Sequence, residues 1–183
     1  MIIRTQEMPE VSFSRSFRLI QIFLVSGLML MFAIALPSLA SFQPGISSHN
    51  VISVLNRDRK TYDLAPLNES AELTRAAQVK AQDILKKGYF AHVSPEGLLP
   101  WDFIRDQGFA YQFAGENLAI NYTNSLELEN AFLNSPHHRE NLLSPLFSQI
   151  GVAVVEGQYH GQLAVITVQM FALPALSTSL ETK

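Results

Sequence analysis

The sequence predicts an α+β fold: a three-layer α/β/α sandwich around a central, mostly antiparallel sheet. Three observations carry this. Leu73, Ala77, Ala81, Ile84 and Leu85 recur at helical spacing over residues 69–87, the stripe of an amphipathic helix. The last third changes period, with Ile150, Val152 and Val154 alternating ahead of a second run, 163–170, as in an antiparallel hairpin. That second run is apolar on both faces except at Thr167 and Gln169, so it needs cover on both sides, and the helices supply it.

The elements follow in order. Residues 48–61 read as a helix with Val51, Val54 and Leu55 on one side, ended by Leu64-Ala65-Pro66-Leu67. Asn68 is the expected N-cap of the 69–87 helix, Lys86 and Lys87 lie in its last turn, and Gly88 stops it. Residues 89–99 form a loop containing Ser94-Pro95-Glu96-Gly97. Pro100 opens a short helix ending near Gly108. A helix over 125–134 takes Ser125 as its cap, and Ser135-Pro136 starts another over 136–143, which Pro145 ends. Gly157 and Gly161 bracket the hairpin turn.

The 183 residues suffice for one domain and a targeting segment. Arg4, Arg15 and Arg18 precede an uncharged run, 19–36, followed by Pro37 and by Ser38-Leu39-Ala40. Charge, apolar run and small-x-small make a secretory signal cleaved after Ala40; the run is long for a signal core and slightly short for a span, so an uncleaved membrane anchor is the rival reading. Positive charge before the run places the rest outside the cytoplasm under either reading. The expected organisation is therefore residues 1–40 as signal peptide or anchor, 41–49 as linker, 50–173 as the domain and 174–183 as a tail. The protein is expected to be secreted or held on the outer face of the membrane through residues 19–36. A net charge of −3 without blocks of either sign leaves no footprint for nucleic acid. The absence of cysteine removes disulfides, thiolate metal sites and cysteine nucleophiles.

Candidate chemistry must come from distant segments, because no His-Glu-x-x-His or other dense ligand motif occurs. His92, in the loop after the long helix, reads on position alone as a partly exposed loop histidine. Glu116, within Ala114-Gly115-Glu116-Asn117-Leu118, is a carboxylate in an apolar patch; if buried it needs a partner, and otherwise it is a turn acid in water. His138 falls at the third position of a short helix, whose positive end disfavours imidazolium and keeps a lone pair for a metal or a proton. His137, about 100° around that helix, is expected to face elsewhere, as are His49 and His160. Glu127 and Glu129 read as a solvated helix face. Ser94, Ser135 and Ser144 lack a Gly-x-Ser-x-Gly elbow.

Together these segments resemble the CAP superfamily (cysteine-rich secretory, antigen 5 and pathogenesis-related proteins), in its bacterial SCP-like branch. The resemblance runs from about residue 50 to 172. It rests on Leu55-Asn56 with Arg59 and Pro66-Leu67, and on Gly88-Tyr89-Phe90-Ala91-His92 with Ser94-Pro95-Glu96-Gly97. It rests further on Gly115-Glu116-Asn117-Leu118-Ala119, and on Ser135-Pro136-His137-His138-Arg139-Glu140-Asn141 followed by Phe147, Ile150 and Gly151. The family fold is an α/β/α sandwich, and many members carry two histidines and two acids in a central cleft. The resemblance assigns His92 and His138 as the histidines and Glu116 as the first acid. Ser135 stands where the second acid belongs, Phe132 where tryptophan is usual and His137 where glycine is usual.

Two functions follow. The first is a non-enzymatic extracytoplasmic module binding a small-molecule, lipid or cell-envelope ligand at His92, Glu116, Ser135 and His138. Its cleft is expected to take Zn²⁺ or another divalent metal on His92 and His138, with Glu116 as third ligand or as the acceptor behind a histidine ligand. The second is a metal-assisted hydrolase or peptidase in the same cleft. That needs a general base which Ser135 cannot supply, and which Glu127 or Glu129 supplies only by turning inward.

Overall fold

The computed structural model describes residues 46–176. The 19–36 run and the Ala40 boundary lie outside them. Helix α1 spans Ser48–Thr61, with the Ser47 hydroxyl accepting from the Asn50 N–H. Its bounds are those expected from the sequence, and Ser48 and His49 belong to its first turn. Strand β1 is Asn68–Glu69 and helix α2 is Ala71–Lys87. The α2 cap is Ser70, accepting from the Leu73 N–H, not Asn68, which pairs in the sheet. Gly88 ends α2 at φ 66°, the left-handed conformation of a helix stop. Helix α3 spans Pro100–Asp106 and strand β2 spans Tyr111–Ile120.

Helix α4 is Ser125–Asn134; its cap is Asn124, not Ser125, with the Asn124 carboxamide oxygen accepting from Leu126 and Glu127. Helix α5 is Pro136–Leu142, with Ser135 at the cap position but making no side-chain cap bond. Strands β3, Gln149–Tyr159, and β4, Gln162–Pro174, form the hairpin. Its turn is His160-Gly161, both at positive φ, as a two-residue type I′ turn requires. Gly157 lies inside β3, where a Cβ would meet the Leu85 side chain at 2.9 Å.

The sheet order is β1-β3-β4-β2, antiparallel except for the β1–β3 pair. Its two faces are covered separately. On one, Leu73, Ala77, Ile84, Phe103 and Ile104 of α2 and α3 pack on Ala153, Ile166, Val168 and Met170. On the other, Val51, Leu55, Leu128, Phe132 and Leu142 of α1, α4 and α5 pack on Ala119, Ile150, Val152 and Phe171. This is the three-layer sandwich that a β4 apolar on both faces demands. Gly151 sets the closest approach of the layers: a Cβ there would meet the α2 backbone at Thr74 N at 2.1 Å. Among the described residues no helix is long and apolar enough to cross a membrane.

Candidate functional site

Glu116 sits in β2, opposite Met170 of β4. Odd-numbered β2 residues such as Ala119 face the α1–α4 layer, and even-numbered ones such as Leu118 face α2. The strand alternation thus sends the Glu116 side chain toward α2, where it is 1% exposed. Its Oε1 accepts from His92 Nδ1–H at 2.6 Å. Its Oε2 is buried with no hydrogen-bond partner among the described residues. Burial pushes the carboxyl above its usual range, while His92 and Lys80 act in the opposite direction.

Lys80 is the residue that the sequence reading missed. It lies on the buried stripe of α2 between Ala77 and Ile84, fully buried. Its ammonium donates to the Tyr89 hydroxyl at 3.1 Å and to the carbonyls of Ala91 and His92 at 3.1 and 2.7 Å. It also lies 4.9 and 5.1 Å from the ring centroids of Tyr89 and Phe103. A buried ammonium with all three donors used is tolerable where a bare one is not. Burial lowers its pKa, and the charges of Glu116 and Asp83 hold it up. Tyr89 in turn donates to Asp83 at 2.7 Å, and Lys87 joins Asp83 to Glu96 at 2.6 Å each. The 89–96 loop is therefore tied to α2 along its length, which is what presents His92 to Glu116. The available signal was a lysine at an apolar-stripe position.

His92 is the open half of the pair, its side chain 58% exposed. The hydrogen bond to Glu116 raises its pKa against the effects of burial and of Lys80. His138 is half-buried, its ring 4.9 Å from that of Phe132. Its pKa is lowered, first by burial and then by the charges of His92 and His137. The histidine is therefore biased to neutrality as expected, but through desolvation and its neighbours.

Helix α5 is tied to β2 by two asparagines. Asn117 donates to the His138 carbonyl at 3.2 Å, and Asn141 donates to the Glu116 carbonyl at 3.1 Å and to the Asn117 side-chain oxygen at 2.9 Å. Gly115 leaves room for this, since a Cβ there would meet Asn141 Oδ1 at 2.6 Å. Two open grooves then lie along β2. One, of about 350 Å³, is lined by His92, Val93, Trp101, Gly115, Glu116 and Asn141. The other, of about 420 Å³, is lined by Phe90, Leu118, Ile120, Phe132, Ser135 and His138. The expected residues thus fall into two neighbouring sets, His92 with Glu116 and His138 with Ser135, whose histidines are coupled electrostatically. His137 is exposed and lines neither groove, His49 is exposed in α1, and His160 is in the hairpin turn. Glu127 is exposed, but Glu129 is buried. Its charged neighbours are Asp58 and Arg57 of α1, so its inward turn brings no base to the grooves.

The family model for the cysteine-rich secretory protein family, CAP, matches residues 52–171. The chain belongs to the CAP family. The uncharacterized protein YkwD of Bacillus subtilis is 39% identical over 106 residues, covering 58% of this chain and 41% of that protein. The uncharacterized membrane protein YlbC of the same organism is 29% identical, covering 62% of this chain and 33% of its own length. The chain spans less than half the length of these curated relatives. An extracellular protein containing a SCP domain from Bacillus anthracis aligns with TM-score 0.60 and 26% identity, over 69% of this chain and 40% of that one. An outer surface protein of Borrelia burgdorferi aligns with TM-score 0.61 and 22% identity, over 73% of this chain and all of that one; at that identity the likeness is one of fold.

The CAP resemblance raises a divalent metal as a resident group, and the donor set decides whether one fits. Among the described residues no three His, Cys, Asp or Glu side chains group as metal ligands. Glu116, expected as the third ligand or as the acceptor behind a histidine ligand, directs Oε1 to His92 Nδ1 and keeps Oε2 buried. The arrangement resembles the outer half of a carboxylate–histidine pair without a closed first coordination sphere.

Proposed function

We propose that this CAP domain is a non-enzymatic, extracytoplasmic ligand-binding module. Its ligand lies in the two grooves along β2 and is oriented by the exposed imidazole of His92. The observation that carries this reading is the His92–Glu116 pair that lines the first groove. A buried carboxylate, braced by a buried ammonium, holds one histidine outward at 2.6 Å, beside apolar walls. Such a combination of apolar lining and a few fixed polar groups suits binding. Hydrolysis needs a nucleophile or metal-bound water beside a free base. Glu116 is engaged, Ser135 lines the other groove from His92, and Glu129 lies against α1.

The location rests on Arg15 and Arg18 ahead of the 19–36 run. The description of the Bacillus anthracis relative as an extracellular protein supports it. The test is native mass spectrometry of the full chain after incubation with a cell-envelope extract. The reading expects a retained adduct that Ala131→Trp, which fills the second groove, removes. An adduct equally retained by the variant, or none at all, would contradict it.

A further inference from the structure

Strand β2 is an edge of the sheet, paired with β4 alone. The direction of its backbone groups follows from one bond. Asn121 N–H donates to the Val165 carbonyl at 2.8 Å, continuing the register in which Ile120 opposes Ile166. Hydrogen-bonded and non-hydrogen-bonded pairs alternate along an antiparallel ladder. Asn117 and Ala119 therefore bond to β4, while Glu116, Leu118 and Ile120 turn their N–H and C=O groups to the unpaired side. The Glu116 carbonyl confirms this parity independently, since it accepts from Asn141 of α5 at 3.1 Å. Among the described residues nothing beyond the strand pairs with the backbone of Leu118 or Ile120. Leu118, Ala119 and Ile120 line the groove of about 420 Å³, between Phe90 on the α2 side and Phe132 on the α4 side.

Sheet edges are normally blunted by charge, proline, a bulge or a covering element, and here Leu118 and Ala119 are buried, so the edge is reached only through the groove. Leu118-Ala119-Ile120 carries no charge or proline, and the one irregularity of the β2–β4 pairing is at the far end, between Tyr111 and Phe113. We infer that the second groove takes an extended, apolar polypeptide segment, which adds to β2 as a further strand along Leu118–Ile120. This deepens the ligand-binding reading and rests on it. The row of outward N–H and C=O groups is the complement of another extended backbone. An acyl chain or sterol in the same groove would displace water from those groups and return no hydrogen bond. The walls set the sequence preference. Side chains of an added strand alternate between the two layers. One set meets Phe90, which is 40% exposed, and the other meets Phe132. The segment is therefore a short continuous apolar run, as in strands covered on both faces.

The test is affinity selection on the immobilised full chain from a random pool of octapeptides blocked at both ends, beside a fully N-methylated pool. The free-backbone pool should yield retained peptides with consecutive apolar residues, and the N-methylated pool none. In the tightest peptide, methylating one alternate set of amides should weaken binding about tenfold or more, and the other set only slightly, because only one set faces the edge. Hydrogen exchange over residues 116–121 should slow on binding. Retention indifferent to methylation, no peptide retained, or protection elsewhere would overturn the inference. Oleate serves as a separate probe. If it slows exchange in this groove while no peptide is retained, the ligand-binding reading stands and strand addition falls. If neither probe alters either groove, both fall.

Discussion

At the scale of single residues, the site depends on charges that the apolar layers isolate from water. Lys80 holds the His92 loop through two carbonyls and Tyr89, and its charge lowers the His92 pKa while Glu116 raises it. Lys80→Met should therefore move the His92 titration upward, and Glu116→Gln should move it downward. Proton NMR of the histidine ring signals reads both, and a downward shift in Lys80→Met would refute the assignment. The same substitution leaves the carbonyls of Ala91 and His92 without their donor and the Tyr89 phenol with only its bond to Asp83, and should cost about 2–4 kcal/mol of stability. Glu129 makes the opposite case. Both its oxygens are buried without a hydrogen-bond partner among the described residues, and burial beside Asp58 pushes its pKa up to about 8. Glu129→Leu should stabilise the protein by about 2 kcal/mol at pH 8, and by less near pH 5. Chemical denaturation at the two pH values checks this, and a gain independent of pH would show that ionisation is not the cause.

At the scale of elements, what was legible depended on whether one face alone is buried. α1, α2 and α4 each keep a wet side, so their 3.6-residue period shows through, and the β3–β4 hairpin is signalled by alternation and glycine. β2 went unread because both its faces are covered, and because Gly115, Glu116 and Asn117 interrupt any strand pattern for the sake of the site. β1 is two residues long, too short to show a period, so Asn68 looked like a helix cap. Glu129 was misread as solvated because a single acid does not betray which way α4 turns. The glycines were legible as breaks but not as contacts. Gly151 is where the α2 backbone meets β3. Gly151→Ala should force the two layers apart and destabilise by about 3 kcal/mol or more, whereas Gly161→Ala strains only an exposed turn. Thermal melts of the two variants should rank in that order, and an equal loss would mean that the close approach is not limiting.

At the scale of the whole molecule, the buried ionisable groups set the sign of its response to pH. Glu116, Glu129 and His92 all have folded-state pKa values raised above their ordinary ones. The folded state therefore binds protons more tightly at these positions. The stability each contributes is fully present below the ordinary value, about 4.5 for the carboxyls and 6.5 for the imidazole. It is lost as pH rises through the folded value, about 8 for Glu129. His138 is lowered, so it acts in reverse, and its cost appears as pH falls below 6.5. The three raised groups thus oppose His138 in sign, and Glu129, whose pKa is pushed up to about 8, contributes on the order of a few kcal/mol between pH 5 and 8. The protein should be more stable at pH 5 than at pH 8. In Glu129→Leu the slope should flatten, leaving Glu116 and the two histidines with opposed signs. Scanning calorimetry at intervals from pH 5 to 8 measures this directly. A Tm that climbs with pH in the wild type would mean that the carboxyls of Glu116 and Glu129 are paired and ionised in solution.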